Sequence, residues 1–207
     1  MWSNRLKLDR SNDCLVSVDG TDFKVAEHGP NFSSHKYAKK SALRYEVAVC
    51  ILTGDVVWIN GPFAAGNNPD ITIFRRSLMS HLAENERVEA DDGYIGEAPL
   101  YVKCPQSFTN PVETEAMQAR VRMRQETVNK RFKDWGVLRQ LYRHNIPDHG
   151  DVFAAIVVLT QLSINAGEKL FRVGYKDPPY DSDEDDHYVN TAYDVASDDD
   201  DDDDDDE

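Results

Sequence analysis

Apolar positions along the first hundred residues fall into short runs whose period switches between two and nearly four. Residues 14–18 (CLVSV) are continuous, apolar and β-branched and run into Asp19-Gly20, which predicts a buried strand ending at a turn. Residues 42–52 (ALRYEVAVCIL) alternate and predict a second strand. After Thr53-Gly54-Asp55, residues 56–60 (VVWIN) predict a third, paired with the second as a hairpin. Residues 61–69 read as a Gly/Pro/Asn loop. Asp70 fits a helix N-cap, with Ile71, Phe74, Leu78 and Leu82 following at helical spacing. Residues 86–90 (ERVEA) predict a short fourth strand closed by Asp91-Asp92-Gly93-Tyr94, and residues 97–112 a loop. Two helices follow, an amphipathic one over 113–135 and a largely buried one over 151–171. The order strand, strand, strand, helix, strand, loop, helix, helix predicts an α/β domain with partly parallel pairing.

Charge divides the chain differently. The formal net charge is −15, but residues 177–207 hold 17 acidic residues and no Lys or Arg, which leaves 21 acids against 23 bases in residues 1–176. The acidity therefore belongs to a tail of low complexity, expected to be disordered, and the body is mildly basic, as suits nucleic acid. Asp181-x-Asp183-x-Asp185 begins like a calcium loop but lacks the Gly and Glu that would complete one. The expected organisation is an extension over 1–13, a domain over 14–176 and the acidic tail over 177–207. Cys14, Cys50 and Cys104 show no C-x-x-C spacing, and the first residues lack the apolar core of a signal peptide, so a reducing intracellular compartment is expected. The six histidines show no paired spacing for zinc, and Trp58 and Trp135 read as core or near-core residues.

Candidate chemistry lies with four acids. Asp19 follows the first predicted strand, Asp70 opens the first helix, Asp91 ends the fourth strand, and Glu126 lies within the long helix. Carboxylates at strand ends and helix starts point into the crevice at the carboxyl edge of an α/β sheet. Gathered there, they repel one another unless hard cations such as Mg²⁺ or Mn²⁺ neutralise them. Each acid alone also has a plain reading as a turn, a cap or a solvated helix face. Of Asp91 and Asp92, alternation allows one to face the site.

Residues 18–21 (VDGT), 66–74 (GNNPDITIF) and 90–94 (ADDGY), with Arg122-x-x-x-Glu126 followed by Lys133, resemble in order and spacing the acidic blocks of Harbinger-type DDE transposases. The related insertion-sequence transposases place a Tyr three residues before the Arg, where this chain has Ala119. The steps between successive acids are 51, 21 and 35 residues, and the likeness covers about residues 14–166. The resemblance implies an RNase H-like fold, a mixed sheet flanked by helices. It implies a catalytic triad of Asp19, Asp91 and Glu126, with Asp70 as a fourth metal ligand and two divalent cations as cofactors. The implied activity is a hydrolase: a metal-dependent endonuclease that nicks DNA at a transposon end and then transfers the strand. Arg122, Lys133 and the basic segment Lys36, Lys39 and Lys40 are the candidate phosphate contacts. Expected partners are DNA, a Myb-like DNA-binding protein and a second copy of the chain, and the expected compartment is the nucleus, with the cytoplasm as the other. Only 18 residues precede Asp19, where the family carries a helical region. The alternative expectation is therefore a truncated or domesticated protein that binds DNA or a protein partner without cutting.

Overall fold

The structure is a computed structural model that describes residues 1–6, 14–26, 29–107 and 112–175, with the backbone alone at 6, 107 and 112–114. The acidic tail, and with it the calcium-loop-like segment, lies outside the described residues.

Five strands form one mixed sheet: β1 (Cys14–Lys24), β2 (Ala42–Cys50), β3 (Val56–Ala64), β4 (Arg87–Glu89) and β5 (Val102–Lys103). They lie in the order β3-β2-β1-β4-β5. β1–β2 and β2–β3 are antiparallel, while β1–β4 and β4–β5 are parallel. The hairpin and the parallel crossover are as expected, and the topology is that of the RNase H-like sheet. Helices α1 (Asp70–Arg76), α2 (Val112–Lys133), α3 (Gly136–Arg139) and α4 (Ile146–Asn165) flank it. All nine residues of β2 are buried, because helices cover both faces at the sheet centre.

Strand alternation sorts the core. Val16, Val18 and Ala48 pack with Phe74, Leu78 and Tyr94 on the α1 face. Phe23, Tyr45 and Val47 pack with Val128, Phe132 and Phe153 on the α2 and α4 face. Burying one of these side chains stabilises by about 1.5–3 kcal/mol. The N-terminal 3₁₀ turn Trp2–Leu6 joins the α1 face: Trp2 meets Trp58 edge to face at 5.7 Å, and Arg5 grips Glu86 through two nitrogens at 2.7 and 2.9 Å.

Several expected boundaries are corrected. Asp19-Gly20 is not a turn: β1 continues to Lys24, with Asp19 opposite Val47 and Gly20 opposite Glu46. β3 runs through Gly61 and Pro62 to Ala64, because a register shift between the Arg44 and Glu46 pairings absorbs them. The expected loop over 97–112 contains β5, whose two residues are too few to show a period. Pro69 takes the N-cap place and Asp70 is the first helical residue. α1 stops at Arg76, and Leu78 sits in a 3₁₀ turn. α2 ends at Lys133, ahead of the expected 135. α4 begins at Ile146 with a proline in its first turn and ends at Asn165, before Gly167 at φ +126°. It is not largely buried, since Val158, Leu159 and Leu162 are exposed. Trp135 caps α3 and is exposed rather than core. Among the described residues no helix is long and apolar enough to cross a membrane.

Candidate active site

Asp19 sits in the middle of β1 on the face toward α2, as do Ser17 and Phe23. Asp91 stands two residues beyond β4, where its Oδ1 accepts from the Gly93 backbone N–H at 2.9 Å and caps a 3₁₀ turn. Asp92 accepts from the Gln106 N–H at 3.0 Å and lines neither hollow, so one of the pair is left for the site, though through a 3₁₀ turn and not through the strand alternation expected. Glu126 lies on the exposed face of α2. These three acids, from elements far apart in the chain, line the same two adjoining hollows. The smaller, of about 60 Å³, also touches Glu89, Arg122 and Gln125. The larger is an open cleft of about 680 Å³, edged by Lys36, Lys130 and Lys133, with Phe171 at its rim.

Asp70 is placed differently. Its carboxylate lies against Gly20, where an added Cβ would stand 1.8 Å from Oδ1. Neighbouring side chains on a strand point to opposite faces, so Asp70 approaches from the face away from Asp19. There Arg44 Nη1 is 3.4 Å from Asp70 Oδ1, and Arg44 holds the fully buried Asp22 through Nε at 2.7 Å and Nη2 at 2.9 Å. Gly20 is thus required by close approach and not by a turn. Gly20→Ala is expected to lower stability by about 1–3 kcal/mol, the usual cost of overpacking. Urea unfolding checks this, and parental stability would show that Asp70 moves freely.

Burial pushes the Asp19 carboxyl up to about 6; Lys36 and a Gly20 backbone hydrogen bond oppose this, while the like charges of Asp91 and Asp70 add to it. Burial likewise raises Asp70 against the pull of Arg44 and Lys36, and raises Glu46 to about 7. A carboxyl raised on folding contributes stability that is full below its unfolded pKa and is lost as pH rises through the folded one. For Asp19 that window runs from about 4 to 6, and for Glu46 from 4.5 to about 7. His149, lowered by burial from 6.5 to about 4, works in the opposite sense over part of this range. Asp19 and Glu46 together outweigh one imidazole, so the metal-free unfolding temperature should fall between about pH 5 and 7. Calorimetry at several pH values checks this, and a rise over that range would contradict it.

The candidate phosphate contacts separate. Lys36 and Lys133 edge the large cleft; Lys36 also donates to the Gly20 carbonyl at 2.6 Å. Burial, with Lys36 nearby, lowers the Lys133 ammonium, which lies 6.0 Å from the Phe23 ring centroid. Lys39 and Lys40 are exposed and line neither hollow. Arg122 does not pair along its helix with Glu126; it reaches Glu89 at 3.2 Å, and Glu89 accepts from the Tyr175 hydroxyl at 3.3 Å. Arg124 is buried and donates to the Cys50 and Ile51 carbonyls. Arg120 and Arg131 donate to the carbonyls of Arg172 and Glu168.

Two groups at the site escaped the sequence reading. Glu89 shows there as one polar residue in a short strand, with nothing to mark its partners. Asn129 donates to Asp19 Oδ2 at 2.8 Å, and its one signal is its place three residues after Glu126.

Among the described residues no three or more His, Cys, Asp or Glu are gathered closely enough to hold a metal by themselves. The donor chemistry nevertheless suits a hard divalent cation. The lining acids offer oxygen alone, and burial together with repulsion from Asp91 raises the Asp19 carboxyl, a strain a cation would relieve. Such ions keep several waters and take further oxygens from substrate phosphates, so a complete protein cage is not required.

A mixed sheet that brings carboxylates from its first strand, the end of its fourth and a long helix to one cleft defines an RNase H-like domain with an acidic site. The chain belongs to the transposase DDE domain family, whose model matches residues 10–159. No curated protein and no solved structure matches it.

Proposed function

We propose that this chain is a divalent-cation-dependent DNA endonuclease of the transposase type, resembling the Harbinger-type enzymes in its acidic motifs. The observation that carries this reading is the convergence of Asp19, Asp91 and Glu126 on one cleft edged by Lys36, Lys130 and Lys133. Asp19 and Asp91 would hold the cation or cation pair, and Glu126 would complete the set. Asp70 acts on it through charge from behind Gly20. Mg²⁺ or Mn²⁺, when bound, lowers the pKa of water and stabilises charge on the phosphate. The chain's own lysines draw the DNA backbone to the acids, offsetting a carboxylate cluster that would otherwise repel phosphate. The reaction is hydrolysis of one phosphodiester bond by water to leave a 3′ hydroxyl and a 5′ phosphate; the 3′ hydroxyl then attacks a phosphodiester of a target strand, whose own 3′ oxygen leaves. Residues 14–176 form the catalytic unit in this reading. The proposal includes action in the nucleus, beside a Myb-like DNA-binding partner and a second copy of the chain.

Duplex DNA binding tests the substrate. In EDTA, the Lys36→Ala, Lys133→Ala double variant should bind a labelled duplex more weakly at low salt. Its dependence of log affinity on log salt should be shallower by about 1–2. Parental affinity and slope would place the DNA elsewhere.

A further inference from the structure

The helix that carries Glu126 also grips Asp19. Asn129 stands three residues after Glu126 on α2, so the two share a face about one turn apart. Its Nδ2 donates to Asp19 Oδ2 at 2.8 Å, and its side chain is buried. One residue before Glu126, Gln125 accepts from Ser17 Oγ at 2.7 Å and donates to the Val47 carbonyl at 3.2 Å. α2 is thus tied to the sheet on both sides of Glu126, and the tie at Asn129 is made to the Asp19 carboxylate itself.

The residue type at 129 is informative. Asp91 and Asp70 already crowd Asp19 with negative charge. A Lys or Arg at 129 would neutralise Asp19 and compete with a cation. An Asp would deepen the repulsion, and an aliphatic residue would leave Oδ2 unrestrained. A neutral amide fixes one carboxylate oxygen and leaves its charge available to a ligand. The arrangement is not an optimised structural contact either, because Asn129 Oδ1 is buried without a hydrogen-bond partner among the described residues, which is destabilising.

We propose that Asn129 is a positioning residue for the cation site: its amide orients the Asp19 carboxylate so that the other oxygen serves the cation held with Asp91 and Glu126. This rests on the reading of Asp19 as a cation ligand. Groups that orient metal-binding carboxylates typically cost about 10- to 100-fold in metal affinity when removed.

Mn²⁺ alone is the probe. Purified protein without DNA is titrated while free Mn²⁺ is followed by electron paramagnetic resonance. Asn129→Leu, of similar volume, should bind Mn²⁺ about 10- to 100-fold more weakly, with a metal-free unfolding temperature no lower than the parent's. Asn129→Gln, which keeps the amide, should recover part of that affinity. Parental Mn²⁺ affinity in folded Asn129→Leu overturns the proposal, and so does a fall in metal-free stability with affinity unchanged. If Asn129→Leu does not fold, Asn129→Ser decides by the same affinities. Asp19→Asn separates the two claims. Loss of Mn²⁺ binding there, with parental binding in Asn129→Leu, overturns the role of Asn129 alone. Parental binding in Asp19→Asn, or none in the parent, overturns the cation reading and this inference with it.

Discussion

Asp19→Asn should cost about a thousandfold or more in metal-dependent DNA cleavage while raising the unfolding temperature of the metal-free protein. The two effects have one origin. Burial and the neighbouring charges of Asp91 and Asp70 hold the Asp19 carboxyl up at about 6, so at pH 7.5 the folded protein carries a charge that its surroundings disfavour. An amide of the same shape removes that charge, and the fold gains. The same change removes a hard anionic ligand from the cleft. Charge stabilisation by a catalytic cation is worth several kcal/mol, and each ~1.4 kcal/mol is tenfold in rate, so about three powers of ten are at stake. Paired nicking assays and calorimetry at pH 7.5 check both halves. A variant that loses activity together with stability would make Asp19 a structural residue.

The largest effect on stability is expected at Arg44. This guanidinium sits between two carboxylates, Asp22 at 2.7 and 2.9 Å and Asp70 at 3.4 Å. Asp22 is fully buried, and although burial raises its pKa, Arg44 and Ser34 outweigh that and hold the carboxyl below its usual range. Among the described residues, Arg44→Met leaves the Ser34 hydroxyl as the hydrogen-bond partner of a buried charge. Removing one partner of such a pair typically costs about 3–5 kcal/mol, a large part of the ~5–15 kcal/mol that holds a domain folded. Adding Asp22→Asn to Arg44→Met should restore much of the loss, because the stranded charge goes with it. Urea unfolding of the parent, the single variant and the double variant measures this. A loss under about 1 kcal/mol for Arg44→Met would show that Asp22 is satisfied without it.

The sheet was legible where period and turn chemistry agree. β2 and the start of β3 alternate around Thr53-Gly54-Asp55, and the structure joins them as a hairpin. Legibility failed where a dipeptide serves a distant contact. Asp19-Gly20 has turn composition, yet Gly20 lies within a strand because Asp70, 50 residues on, needs the space of its side chain. Asp19, Asp91 and Glu126 are singled out by the family resemblance in residue type, order and spacing, and all three line one cleft. The groups around them could not be chosen. Asn129 meets Asp19 across 110 residues, and Arg122 pairs with Glu89 across 33, although i to i+4 spacing offers Glu126 locally. Local spacing ranks neighbours on one helix, and it carries no information about what a second element brings to the same face.

The most direct test of the account is nicking of supercoiled DNA by the purified protein with Mn²⁺ or Mg²⁺, beside Asp91→Ala and Glu126→Ala. The predicted result is nicking that requires the cation, leaves a 3′ hydroxyl, and is lost in both variants while they fold like the parent. Cation-dependent nicking that persists in either folded variant, or no nicking by the parent, would contradict it.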